Sequence, residues 1–200
     1  MNFSSPFRWL QLCWMIFGLY WLVSAFHRKV TKKRETYFQR FGYTVPLLIA
    51  SYFLFRPEAR YQSWLGVSFV PAGIAWRWTG VAITAAGIAF AIWARWHLGS
   101  NWSGMVTLKE GHELIRNGPY CFIRHPIYTG ILIALLGTSV MIGEVRGLLA
   151  VAVGLLSFYI KARREESFLS QEFGPAFVEH RRHTGMFLPK LFHSRQAESA

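Results

Sequence analysis

Long apolar runs with almost no charge inside them govern what this chain can fold into. Phe7 to Phe26 is a run of 20 residues with Arg8 as its only charge, the length a helix needs to cross about 30 Å of hydrocarbon. It has a basic start but no small-residue cleavage site, so it reads as a retained span and not as a removed leader. Four more runs follow: Phe41 to Phe55, Gly80 to Trp96, Ile127 to Gly143 and Gly147 to Ile160. In a chain of 200 residues, 52% hydrophobic and 16% charged, with mean hydropathy +0.23, there are too few polar groups to wrap five such runs in water. Soluble chains carry about 25% charged residues. The expected fold is an all-α polytopic membrane bundle with about five transmembrane helices.

The runs near 7–26, 41–55 and 80–96 make up an amino-terminal half, residues 1–97. Residues 98–200 hold the remaining two and most of the polar sequence. Phe41 to Phe55 is short for a crossing and contains Pro46, which a membrane helix tolerates where neighbours satisfy the freed carbonyl. Gly80 to Trp96 is rich in Gly and Ala, which lets helices approach closely, and is expected inside the bundle. Ser63 to Trp76 is broken by Pro71 and Gly73 and is edged with Trp64, Trp76 and Trp78, as an interfacial or re-entrant piece would be. Only Glu144, Val145 and Arg146 separate the last two runs, so 127–160 must be a tight antiparallel hairpin.

Charge sets the orientation. The 22 Lys and Arg against 10 Asp and Glu give +12, but these residues flank apolar runs and do not form the basic face of a polar domain, which argues against nucleic acid. With five crossings, 16 of the 22 basic residues fall on one side and five on the other. The rule that cytoplasmic loops are rich in Lys and Arg then puts the amino terminus outside and the carboxyl terminus inside. Cys13 and Cys121 make neither a disulfide framework nor a thiolate metal site.

The polar stretch Leu98 to Pro126 and the tail from Lys161 lie on the same side and bracket the hairpin, so their residues can converge at its cytoplasmic mouth. Gly118 and Pro119 force a turn. His125 precedes Pro126, which suits a first helical position, and Tyr128 follows on the first turn. Tyr120, Arg124, His125 and Tyr128 are thereby set around the positive end of a helix, a place for a carboxylate or phosphate. Interface preference accounts for any one of these aromatics, and headgroup pairing for the arginine; together they are harder to dismiss. Lys161 and Glu165 are four apart with Glu166 adjacent. A surface ion pair there is worth only a few tenths of a kcal/mol, whereas ionisable groups at membrane depth are functional candidates by default. His180 and His183 form an HxxH without a second cluster, so no metal is expected. There is no GxGxxG, Walker loop or GxSxG elbow, which excludes the soluble cofactor folds that need them.

The segments LGSNWSG, GHELIRNGPYCFIRHPIYTG and EESFLSQEFGPAFVEHRRHTGMFLP closely resemble the isoprenylcysteine carboxyl methyltransferase family of integral membrane enzymes, over Leu98 to Pro189. The resemblance implies transfer of a methyl group from S-adenosylmethionine to the carboxylate of an isoprenylated cysteine or another lipid-linked acceptor; the compactness of the chain points separately to a bacterial inner membrane. It implies cofactor contacts from His112, Glu113, Leu114 and Ile115 in GHELI, Tyr120 in GPY, His125, Pro126, Ile127 and Tyr128 in RHPIY, and Glu165. Arg124 and Lys161 are the candidate catalytic residues. Lys161 stands where the family generally has an arginine facing the lipid, and offers a point charge in place of a bidentate fork. A carboxylate is already ionised near neutrality, so alignment and not base catalysis would carry the reaction. Related phospholipid methyltransferases share the RHP and EE elements, and an amine acceptor such as phosphatidylethanolamine would need Glu165, Glu166 or His125 to take a proton. A membrane sterol or enone reductase would need a nicotinamide site, and a non-catalytic binding module no cofactor at all.

Overall fold

The computed structural model describes residues 5–24, 31–34, 36–55, 64–99, 107–109 and 114–190. Helices carry the fold: α1 (Pro6–Ser24), α2 (Tyr37–Phe55), α3 (Ile74–Leu98), α4 (Pro126–Ile142), α5 (Val145–Phe173) and α6 (Pro175–His183). The expectation of a purely helical chain needs one amendment. β1 (Thr31–Arg34) and β2 (Thr107–Lys109) pair antiparallel, Thr31 opposite Lys109 and Arg34 opposite Thr107, so a short ribbon joins two of the polar connections.

The helices outrun the apolar segments that announce them. After Gly73 nothing breaks the chain, so α3 starts at Ile74 and absorbs Trp76 and Trp78, which the sequence assigns to an interfacial piece. The rest of that piece is a single turn at Trp64–Gly66 and an extended stretch held under the α4–α5 turn, with Phe69 N–H donating to Gly143 O (2.9 Å) and Val145 N–H to Val67 O (3.0 Å). α2 begins at Tyr37 and keeps Pro46 inside it. α5 runs unbroken through KARREESFLSQEF to Gly174, whose φ of 48° ends it. Among the described helices, α3 and α5 are long and apolar enough to cross a membrane, and α4 is apolar over 17 residues.

The hairpin turns as its three-residue connection requires. Gly143 caps α4 with φ 77°, a left-handed conformation that costs glycine nothing. Arg146 is buried beside it, its Nε donating to Glu144 Oε2 (2.5 Å) and one terminal nitrogen to Phe53 O at the end of α2 (2.9 Å).

α3 and α4 approach until their backbones touch. Gly80 and Gly87 on α3 face Gly137 and Gly130 on α4 in antiparallel order, and a Cβ added to any of the four would meet backbone atoms of the facing helix. Two pairs of glycines spaced by seven residues thus let two backbones touch, the small-residue route by which membrane helices associate. Between them Thr84 and Thr138 are wholly buried, and the Thr84 hydroxyl hydrogen bonds to Gly80 O within its own helix and reaches Ala134 O across the gap (2.9 and 3.3 Å). Trp14 of α1 donates to Thr138 (3.0 Å), fastening α1 onto the pair.

Candidate active site at the start of α4

Three pieces of chain meet here: the segment Gly118 to His125, the first turn of α4, and α5 from Lys161 to Glu166. The tail after α6 closes over them. Arg124 N–H donates to Gly185 O (2.9 Å), His125 N–H to Met186 O (3.1 Å) and Gly185 N–H back to Phe122 O (3.1 Å). The Thr129 hydroxyl donates to Phe187 O (2.7 Å), and the Arg124 guanidinium also donates to Thr184 O. These bonds hold the RHP segment at a fixed angle to α4.

At the centre His125 is buried between two carboxylates. Its Nε2 lies 3.2 Å from Glu166 Oε1 and its Nδ1 3.4 Å from Glu165 Oε2. Arg124 Nε donates to Glu166 Oε1 (2.7 Å), and the Tyr128 hydroxyl donates to Glu165 Oε1 (2.6 Å). Burial works against a charged imidazole, but the hydrogen bonds and negative charge of Glu165 and Glu166 outweigh it and raise the His125 pKa above its ordinary value. Rings continue the line: Tyr128 stacks on His125 (centroids 5.5 Å apart, 5° between planes) and on Phe158 (4.8 Å, 17°). Tyr120 is buried with Ala94 and Ile127, against which Ile115 packs. Desolvation, with the charge of Glu165 added, pushes the Tyr120 phenol far above its usual value despite the opposing charge of Arg95.

Lys161, one turn before Glu165, places its ammonium 5.3 Å from the centroids of both the Tyr128 and the Tyr43 rings, within the range of cation–π attraction. Tyr43 comes from α2 and is 3% exposed.

The structure therefore brings together Tyr120, Arg124, His125, Pro126, Ile127, Tyr128, Lys161 and Glu165, with Leu114 and Ile115 half-buried on the approach to Tyr120. His112 and Glu113 lie outside the described residues. Sequence reasoning misses or misplaces three participants. Glu166 appears there only as a possible base, yet it is the more buried acid and grips both Arg124 and His125. Thr184 to Phe187 belong to a quoted segment, but which carbonyls they offer cannot be read from residue types. Tyr43 sits in an apolar run, Phe41 to Phe55, with no motif to mark it.

Residues 75–176 match the model of the phospholipid methyltransferase family, and the chain belongs to that family. The resemblance read from its motifs is borne out by relatives. One stretch of 76 residues is 37% identical to protein-S-isoprenylcysteine O-methyltransferase B of Arabidopsis thaliana, covering 38% of this chain and 39% of that protein. Another of 97 residues is 33% identical to a cobalt-zinc-cadmium resistance protein of Cupriavidus metallidurans, covering 47% and 44%. The matches thus cover less than half the length of these curated relatives. The solved structure of a eukaryotic intramembrane Ras methyltransferase, isoprenylcysteine carboxyl methyltransferase, superposes with a TM-score of 0.50 at 22% identity over 76% of this chain and 51% of that one. That likeness shows a shared helical fold.

Proposed function

We propose that this chain is an integral membrane methyltransferase that uses S-adenosylmethionine to esterify the carboxylate of an isoprenylcysteine or a similar lipid-like acceptor. One observation carries the reading: the RHPIY and EE segments, 37 residues apart between Tyr128 and Glu165, meet in a single buried network. When bound, the cofactor supplies an activated methyl group on a sulfonium. The residues present fit such a group, since the Glu165 carboxylate suits a cation, and Leu114, Ile115, Tyr120 and Ile127 offer apolar and phenolic surface. His112, Glu113, His125 and Pro126 complete the proposed contacts.

The Lys161 ammonium neutralises and orients the acceptor carboxylate. Arg124, engaged by Glu166 and the Thr184 carbonyl, holds the loop in place and does not touch the acceptor. No proton has to move, because the acceptor is already ionised. In this reading α1 to α5 are five crossings, with the amino terminus outside, the site on the cytoplasmic face and the whole in a bacterial inner membrane. Large apolar side chains exposed on α1 and α2, such as Met15, Leu19 and Leu48, support contact with lipid.

A second reading, methylation of a phospholipid amine, is favoured by two carboxylates beside His125, which could accept the proton an ammonium must lose. Purified protein given labelled S-adenosylmethionine and a panel of acceptors separates them: base-labile methyl ester supports the first, stable methylamine the second. Lys161→Met should raise the KM for a prenylcysteine acceptor by about tenfold or more, the worth of a charged hydrogen bond of about 1.5 kcal/mol. An unchanged or lower KM would remove Lys161 from the acceptor site.

A further inference from the structure

Beside this network, and sharing Arg124 and Met186 with it, α6 and the tail border an open cleft of about 410 Å³ lined also by Arg181, Arg182, Lys190 and Val178. Among the described residues four cations line it and no carboxylate does. Arg124 is neutralised from behind by Glu166, and Arg182 shares Glu179 at 3.4 Å with its side chain 73% exposed. Lys190 Nζ is fixed at the rim by donating to the carbonyls of Arg181 and Arg182 (2.9 and 2.7 Å), which also caps the end of α6. Near the cleft the His180 imidazole is pushed below its ordinary pKa by burial first and then by the charges of Arg116, Arg124 and His183.

Two exposed apolar side chains belong to residues that adjoin the cleft lining in the chain or by a backbone hydrogen bond. Leu188, two residues before Lys190, is 74% exposed; Phe122, whose carbonyl accepts from Gly185 in the cleft wall, is 63% exposed. Cations beside exposed Phe and Leu side chains match the boundary where a phosphate head meets acyl chains.

We infer that this cleft holds the headgroup of an anionic phospholipid and seats α6 and the tail on the membrane surface. The inference does not rest on the methyl-transfer reading.

The test is native mass spectrometry of the full-length protein in detergent with added phosphatidylglycerol or phosphatidylcholine. Wild type should retain phosphatidylglycerol preferentially. Arg181→Gln with Arg182→Gln, both at exposed positions, should weaken that retention by about thirtyfold, at about fivefold per near-surface cation, and leave S-adenosylmethionine affinity within about twofold, a span too small for a lost ionic contact. Lys190→Gln should act in the same direction, and circular dichroism of each variant establishes that it is folded. Equal retention of the two lipids, or full retention in the double variant, overturns the inference. So does loss of cofactor affinity in the folded double variant, which would make the cleft part of the cofactor site. Displacement of the lipid by millimolar inorganic phosphate would overturn the lipid assignment in favour of a soluble anion.

Discussion

Successive helical positions are turned by about 100° from each other, so Glu165 and Glu166 leave α5 in different directions and take different partners. Glu166 turns to Arg124, Glu165 to Tyr128, and His125 fits between them. On the proposed function, Glu165→Gln should weaken S-adenosylmethionine binding at least tenfold in calorimetry, since a charged hydrogen bond is worth about 1.5 to 3 kcal/mol. Unchanged affinity in a folded variant would leave Glu165 a structural acid. His125 gives the site a pH signature. Its folded pKa lies above the unfolded one, so its contribution to stability is fully present below about pH 6.5 and is lost as pH rises through the folded value. The melting temperature in detergent should therefore fall as pH rises above about 6.5, and His125→Gln should flatten that slope. A slope of the same size in the variant would assign it to other groups.

At the scale of elements, the α3–α4 contact is set by glycines and tolerates little. Gly137→Leu would drive a side chain into Thr84 and the Gly80 carbonyl, and overpacking of this kind costs about 1 to 3 kcal/mol. Its melting temperature should drop by several degrees, whereas Gly18→Leu on α1, where an added Cβ meets nothing, should leave it unmoved. Small-residue content already marks Gly80 to Trp96 as interior, and the three residues Glu144 to Arg146 dictate the hairpin. Helix ends are less legible. The sequence marks a span where apolar residues stop, but α5 continues because its polar residues are good helix formers with no breaker before Gly174. The same distinction governs the site. RHPIY and EE announce themselves by residue type, while Tyr43 and the Gly185 to Phe187 carbonyls act through position alone, and position comes from packing across distant parts of the chain.

For the whole molecule, the decisive matter is how it sits in the bilayer. On the proposed topology, reporter fusions after Arg34 and after Pro189 should both read cytoplasmic, because the segments it puts inside hold 16 of the 22 basic residues. Opposite readings would mean that an odd number of the intervening helices cross. The length of α5 bears on this arrangement. From Val145 to Lys161 the helix rises about 24 Å, and to Glu165 about 30 Å, the thickness of the hydrocarbon itself. With α5 across the membrane as proposed, the helix acts as a fixed ruler: it sets the depth of the lysine and the acids, and the bilayer must adjust to it. Hydrophobic mismatch then becomes a control on chemistry. A thicker membrane would draw Lys161 beneath the headgroups and a thinner one would lift it into water, so the lipid surroundings would tune how readily an acceptor's polar head reaches it.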